Sequence, residues 1–71
     1  MVGKVKFFDT LKGYGFIVYE DKNETKELFV HYKDVLMPGP VKLEPGQKVD
    51  FKVGTSPKNG RDTAVRVSLI N

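Results

Sequence analysis

The side chains best placed to engage a partner are rings and lysines at a spacing of two. Tyr14 and Phe16 stand in the run Tyr-Gly-Phe-Ile-Val-Tyr (14–19), and Phe29 and His31 in Leu-Phe-Val-His-Tyr (28–32). Residues two apart in a strand share a face. Tyr14, Phe16, Phe29 and His31 thus occupy one face of their strands, while Gly15, Ile17 and Tyr19, with Leu28 and Val30, occupy the other. A barrel wall has only one interior. The aliphatic set matches the apolar row Val49, Phe51 and Val53, whose opposite row is Lys48, Asp50 and Lys52, and Gly15 leaves space in a crowded core. The rings then face water as an apolar patch, which calls for a partner. Lys12 and Lys6 lie near its rim by sequence. Rings beside ammonium groups can grip a single nucleic-acid strand: each base stacks for about 1–3 kcal/mol while lysines neutralise phosphates. Every base has a π face, so sequence preference is expected to be weak. Any one phenylalanine taken alone is more often core; the inference comes from four residues in phase.

Catalytic and metal chemistry find little to work with. There is no cysteine and a single histidine, which excludes a disulfide framework, a thiolate metal site and a cysteine nucleophile. The acids fall in loops and on wet strand faces, and Ser56 and Ser68 lack a neighbouring base. Gly13-Tyr14-Gly15 is an isolated G-x-G with no third glycine or following helix, so it is not a dinucleotide fingerprint. Asn23-Glu24-Thr25 fits a glycosylation acceptor but reads as plain loop, and Pro38, Pro40, Pro45 and Pro57 read as turn rigidity. No enzyme, cofactor, metal or small-molecule substrate is expected.

The 71 residues are expected to form one small domain, 1–71, and a chain of this size buries only about 60% of its unfolded surface. No apolar run approaches the roughly 20 residues of a membrane helix, and Met1-Val2-Gly3-Lys4 does not resemble a signal peptide. A cytoplasmic monomer is the expectation. The net charge is +3, unevenly spread. Residues 1–16 and 35–71 carry a basic excess and 17–34 an acidic one. A surplus this mild suits a polyanion but equally suits an ordinary solubilising surface.

The elements that must position the rings are strands. Lys4–Phe8, Tyr14–Tyr19, Leu28–Tyr32, Lys48–Val53 and Thr63–Leu69 are β-branched, aromatic or alternating. Turns are expected at Thr10–Gly13, Pro45-Gly46 and within Gly54–Arg61, which contains Pro57 and Asn59-Gly60. Glu20–Lys26 has no apolar residue and reads as a solvated loop; Lys33–Leu36 fits one helical turn, stopped by Met37-Pro38-Gly39-Pro40. Five short strands avoid exposed edges by closing on themselves. The leading architecture is an all-β, five-stranded antiparallel Greek-key barrel of the OB type, with an SH3-like barrel as its rival.

The same residues resemble a known family. Lys12-Gly13-Tyr14-Gly15-Phe16-Ile17 is similar to the first RNA-binding motif of cold-shock domains, and Leu28-Phe29-Val30-His31-Tyr32 to the second. Gly3–Asp9 resembles the strand before them and Leu43–Phe51 the stretch entering the fourth strand, so the likeness runs in order through essentially the whole chain. It implies an OB-type barrel that binds single-stranded RNA and DNA, an RNA chaperone with effects on transcription antitermination and translation. It also implies that Phe7, Phe8, Tyr14, Phe16, Phe29, His31 and Tyr32 line a stacking platform, with Lys6 and Lys12 at the phosphate backbone. Alternation cannot put Phe7 and Phe8 on one face, so joint contact requires a bend or bulge there.

Four positions depart from the family pattern. Phe7 stands where Trp is usual, and Asp9 where Asn is usual. The Leu36–Glu44 loop lacks the aromatic often found there, with Met37 and Pro40 as apolar substitutes, and Lys26-Glu27 replaces an Asp leading the second motif. Two other readings use the same patch: a barrel that docks a peptide or protein, and a ribosomal or initiation-factor type barrel that prefers structured RNA.

Overall fold

Each of the five apolar stretches forms a strand of eight residues: β1 (Val2–Asp9), β2 (Tyr14–Asp21), β3 (Glu24–His31), β4 (Lys48–Thr55) and β5 (Asp62–Leu69). The computed structural model describes residues 1–37, 39–55 and 60–70. The strands close into a barrel in the order β1-β2-β3-β5-β4, an OB-type all-β architecture. All pairings are antiparallel except the closing contact of β3 with β5, where Phe29 meets Thr63 in parallel. Among the described residues, no helix is long and apolar enough to cross a membrane.

The interior is aliphatic, with one large ring. Val5, Ile17, Val30, Val49, Phe51, Ala64 and Val67 are at most 2% exposed, and Tyr19 packs edge-on against Phe51 at 5.4 Å. A 3₁₀ turn, Tyr32–Asp34, follows β3, one residue earlier than the helical turn expected at Lys33–Leu36. Beyond it Val35 bridges to Val67, and Leu36 N–H donates to the Val67 carbonyl at 2.7 Å. Val35 and Leu43, from the long connection into β4, complete the core.

Three expectations change. The Glu20–Lys26 stretch is not a loop: β2 and β3 stay paired to Asp21↔Glu24, and only Lys22 and Asn23 turn, at φ +51° and +66°. Two successive left-handed residues match the right-handed twist of a tight hairpin. The arms lack apolar residues because the hairpin runs out into water. Beside that turn Asp21 accepts a hydrogen bond from Lys26 and raises the pKa of that ammonium, although so exposed a pair adds little stability.

Alternation also fails along β5. From Asp50 to Lys52 is two steps, but their partners Ser68 and Val65 are three apart, with Arg66 at φ +51°. This bulge switches parity, so β5 buries Ala64 and Val67 rather than every second residue from Thr63. Val53 keeps the inward parity of Val49 and Phe51, opposite buried Ala64, but is 43% exposed rather than dry. The turn expected from Pro57 and Asn59-Gly60 lies outside the described residues except for Gly60, as does Pro38 of Met37–Pro40.

Candidate nucleic-acid interface

Alternation from buried Val5 would carry Phe7 into the core. It does not, because β1 holds an extra residue: Val5 pairs with Ile17 and Phe7 with the next residue, Phe16. A bulge of this kind re-aims the side chains beyond it. Phe7 turns outward, 40% exposed, directly across from Phe16, which lies across from Phe29. The next rung places Tyr14 beside His31. Gly15, Ile17, Leu28 and Val30 face the core, as the aliphatic pattern implied, while Tyr14, Phe16, Phe29 and His31 are only half-buried.

The outward rings touch in a continuous ladder. Phe7 and Phe16 lie 5.5 Å apart with a 44° tilt, Phe16 and Phe29 meet edge-on at 5.8 Å, and Phe29 and Tyr14 lie at 5.5 Å with a 32° tilt. These spacings fall in the favourable range for aromatic pairs, so the rings hold one another in place while keeping edges and faces open. His31 and Tyr32 form a second pair at 4.5 Å. The imidazole Nδ1 accepts from the Lys33 N–H at 3.3 Å, capping the 3₁₀ turn and fixing the ring's orientation.

Phe8 takes the other side. It pairs with Gly15 on the inward row and packs against the core, so the bulge exchanges the two phenylalanines rather than uniting them. Its edge lines a shallow groove at the end of the barrel with Leu11, Lys12, Tyr32, Pro40 and Val41. Gly13 makes this groove possible. It sits at φ +77°, and a Cβ there would lie 2.7 Å from the Tyr32 ring. Leu11, 99% exposed at the tip of the β1–β2 turn, was not signalled by any periodicity, since a loop has none. Asp9 holds that turn: its Oδ1 accepts from the N–H groups of Leu11 and Lys12, both at 3.0 Å, and its carbonyl accepts from Gly13 N–H at 2.8 Å.

The family described as "'Cold-shock' DNA-binding domain" matches residues 1–70. This chain belongs to that family. It is 47% identical over 64 residues to the "Probable cold shock protein A" of Mycolicibacterium smegmatis, covering 90% of this chain and 92% of that protein. It is 48% identical over 65 residues to a "Cold shock-like protein" of Aquifex aeolicus, covering 92% and 90%. A more distant relative, the "Cold shock-like protein CspD" of Escherichia coli, is 38% identical over 63 residues, covering 89% and 82%.

In this cold-shock domain the departures from the family pattern have visible structural consequences. Glu27 lies on the ring side of β3, two residues before Phe29, and pairs with Lys6 from the bulge. Lys6 is thus not an unengaged cation beside the rings but half of an exposed ion pair, a type of contact worth roughly 0–1 kcal/mol and readily exchanged. The pairing follows from register, which the sequence does not display. Asp9 keeps the acceptor oxygen that the turn needs and adds a negative charge next to Tyr14.

Proposed function

We propose that this cold-shock domain binds single-stranded RNA and DNA by stacking bases on the Phe7–Phe16–Phe29–Tyr14 ladder, and acts as an RNA chaperone. The observation that carries this reading is the ladder itself, four mutually supporting rings turned to water over an aliphatic core. Lys6 and Lys12 serve the phosphates, with Lys6 exchanging Glu27 for the ligand, and His31, Tyr32 and Phe8 extend the contact toward the end of the barrel. A protein that binds only the open form of an RNA hairpin shifts the population toward it without an energy source. Effects on antitermination and translation follow from that shift, with the protein acting as a cytoplasmic monomer.

Titration with oligo-dT and oligo-U tests the reading. Affinity should fall linearly with log[salt] at a slope near −0.7 per phosphate engaged, and the same sequence in a duplex should bind much more weakly. No binding to either oligomer, with a salt-insensitive peptide or protein partner instead, would move the patch to the protein-docking class. Preference for the duplex would move it to the structured-RNA class.

The Asp9 carboxylate separates turn geometry from charge. Asp9→Asn keeps an oxygen for the Leu11 and Lys12 N–H groups, so thermal stability should stay within about 0.5 kcal/mol, while oligonucleotide affinity at low salt rises. Asp9→Ala loses the acceptor and should cost about 1 kcal/mol. Equal destabilisation by Asn and Ala in thermal melts would mean that the charge, not the acceptor, holds the turn.

A further inference from the structure

In the antiparallel pairing of β1 with β4, Lys4 sits directly opposite Lys48, both outward and exposed. Like charges at directly opposed positions destabilise a sheet. Neither ammonium has a carboxylate partner among the described residues. Asp50, the next outward residue on β4, instead meets the Met1 ammonium at 3.2 Å. The two lysines line an open groove of about 390 Å³ together with Val18, Glu20 and Thr25. Lys4 is also the cross-strand partner of Val18, two residues along β2 from Phe16, a displacement of about 7 Å. The groove therefore begins where the ring ladder stops.

We propose that the Lys4–Lys48 pair is a second anion site, which takes backbone phosphates of the same single strand as it leaves the rings and crosses β1 toward β4. The proposal rests on the stacking function above and extends its footprint. A phosphate placed between two ammonium groups relieves their mutual repulsion, so the bound strand supplies the counter-charge that the bare fold lacks. Among the described residues, Glu20 is the one carboxylate lining this groove.

The test uses the double variant Lys4→Gln/Lys48→Gln, with oligo-dT of about 4 and about 16 nucleotides, the range of site sizes for OB-type barrels. The short oligomer should bind the variant as it binds the wild type, since it can lie wholly on the rings. The long one should bind several-fold more weakly, with a log–log salt slope shallower by about 1.4, the equivalent of two phosphates. A separate variant, Lys48→Glu, should raise the melting temperature of the free protein by roughly 2–8 °C, because opposed charges then attract, while weakening the long oligomer. An unchanged long-oligomer slope with normal short-oligomer binding overturns the phosphate site and leaves the stacking reading standing. Short-oligomer binding that is absent in the wild type, or survives Phe16→Ala, overturns the stacking reading instead.

Discussion

Replacing Phe16 and Phe29 together by alanine should weaken binding of single-stranded oligonucleotides by roughly 2–5 kcal/mol, from about 1–3 kcal/mol per stacked base. The loss should fall somewhat short of the sum of the single variants, because the two rings touch at 5.8 Å and each supports the other. Folding should suffer far less. Both side chains are only half-buried, whereas truncating a core ring such as Phe51, 1% exposed, should cost about 3–5 kcal/mol. Urea titrations and oligonucleotide titrations on the same preparations separate the two quantities. If the double variant unfolds like Phe51→Ala while affinity per folded molecule is unchanged, the rings are core and the interface lies elsewhere.

The second large effect falls on a residue with no side chain. Gly15 stands between Tyr14 and Phe16, inside the motif that carries the resemblance, on the inward row where its spacing called for room. Its backbone is covered by β1. A Cβ at Gly15 would lie 2.2 Å from the Phe7 carbonyl oxygen and 2.7 Å from the Phe8 Cα. Both are backbone atoms, so no rotamer change can relieve the clash. Gly15→Ala should force β1 and β2 apart just beyond the bulge, at a cost of about 3 kcal/mol or more. A domain of this size holds only roughly 4–10 kcal/mol in all. The melting temperature should fall by more than about 12 °C, and binding should fall with it because the Phe7–Phe16 rung spreads. A Gly15→Ala protein that melts within a few degrees of wild type yet loses oligonucleotide affinity would instead assign the glycine to ligand approach.

The sorting of Ile17, Leu28 and Val30 inward and of Tyr14, Phe16, Phe29 and His31 outward was legible in the chain. Those strands are regular, and side-chain direction in a regular strand is a local property with period two. The same rule misled wherever a strand was irregular. It kept Thr63–Leu69 in one phase and could not decide between Phe7 and Phe8. The β1 bulge and the Arg66 bulge are responses to barrel closure, set by how one strand must shift to meet two neighbours, and neighbours are not written into a strand's own residues. The polar hairpin at Asp21–Glu24 was missed for a related reason: hydrophobic patterning reports burial, and strands that project past the core have none to report.

Charge shows the division most plainly. Composition alone established a small, mildly basic chain, and the ring spacing put Tyr14, Phe16, Phe29 and His31 on one face, because both are properties of residue types and their order. Where each charge ends up was decided by pairing register. Register joined Lys6 to Glu27 across 21 positions and set Lys4 against Lys48 across the β1–β4 seam. Coulomb interactions between exposed groups are screened beyond about 10 Å, so only the folded barrel determines which lysines are partnered and which are not.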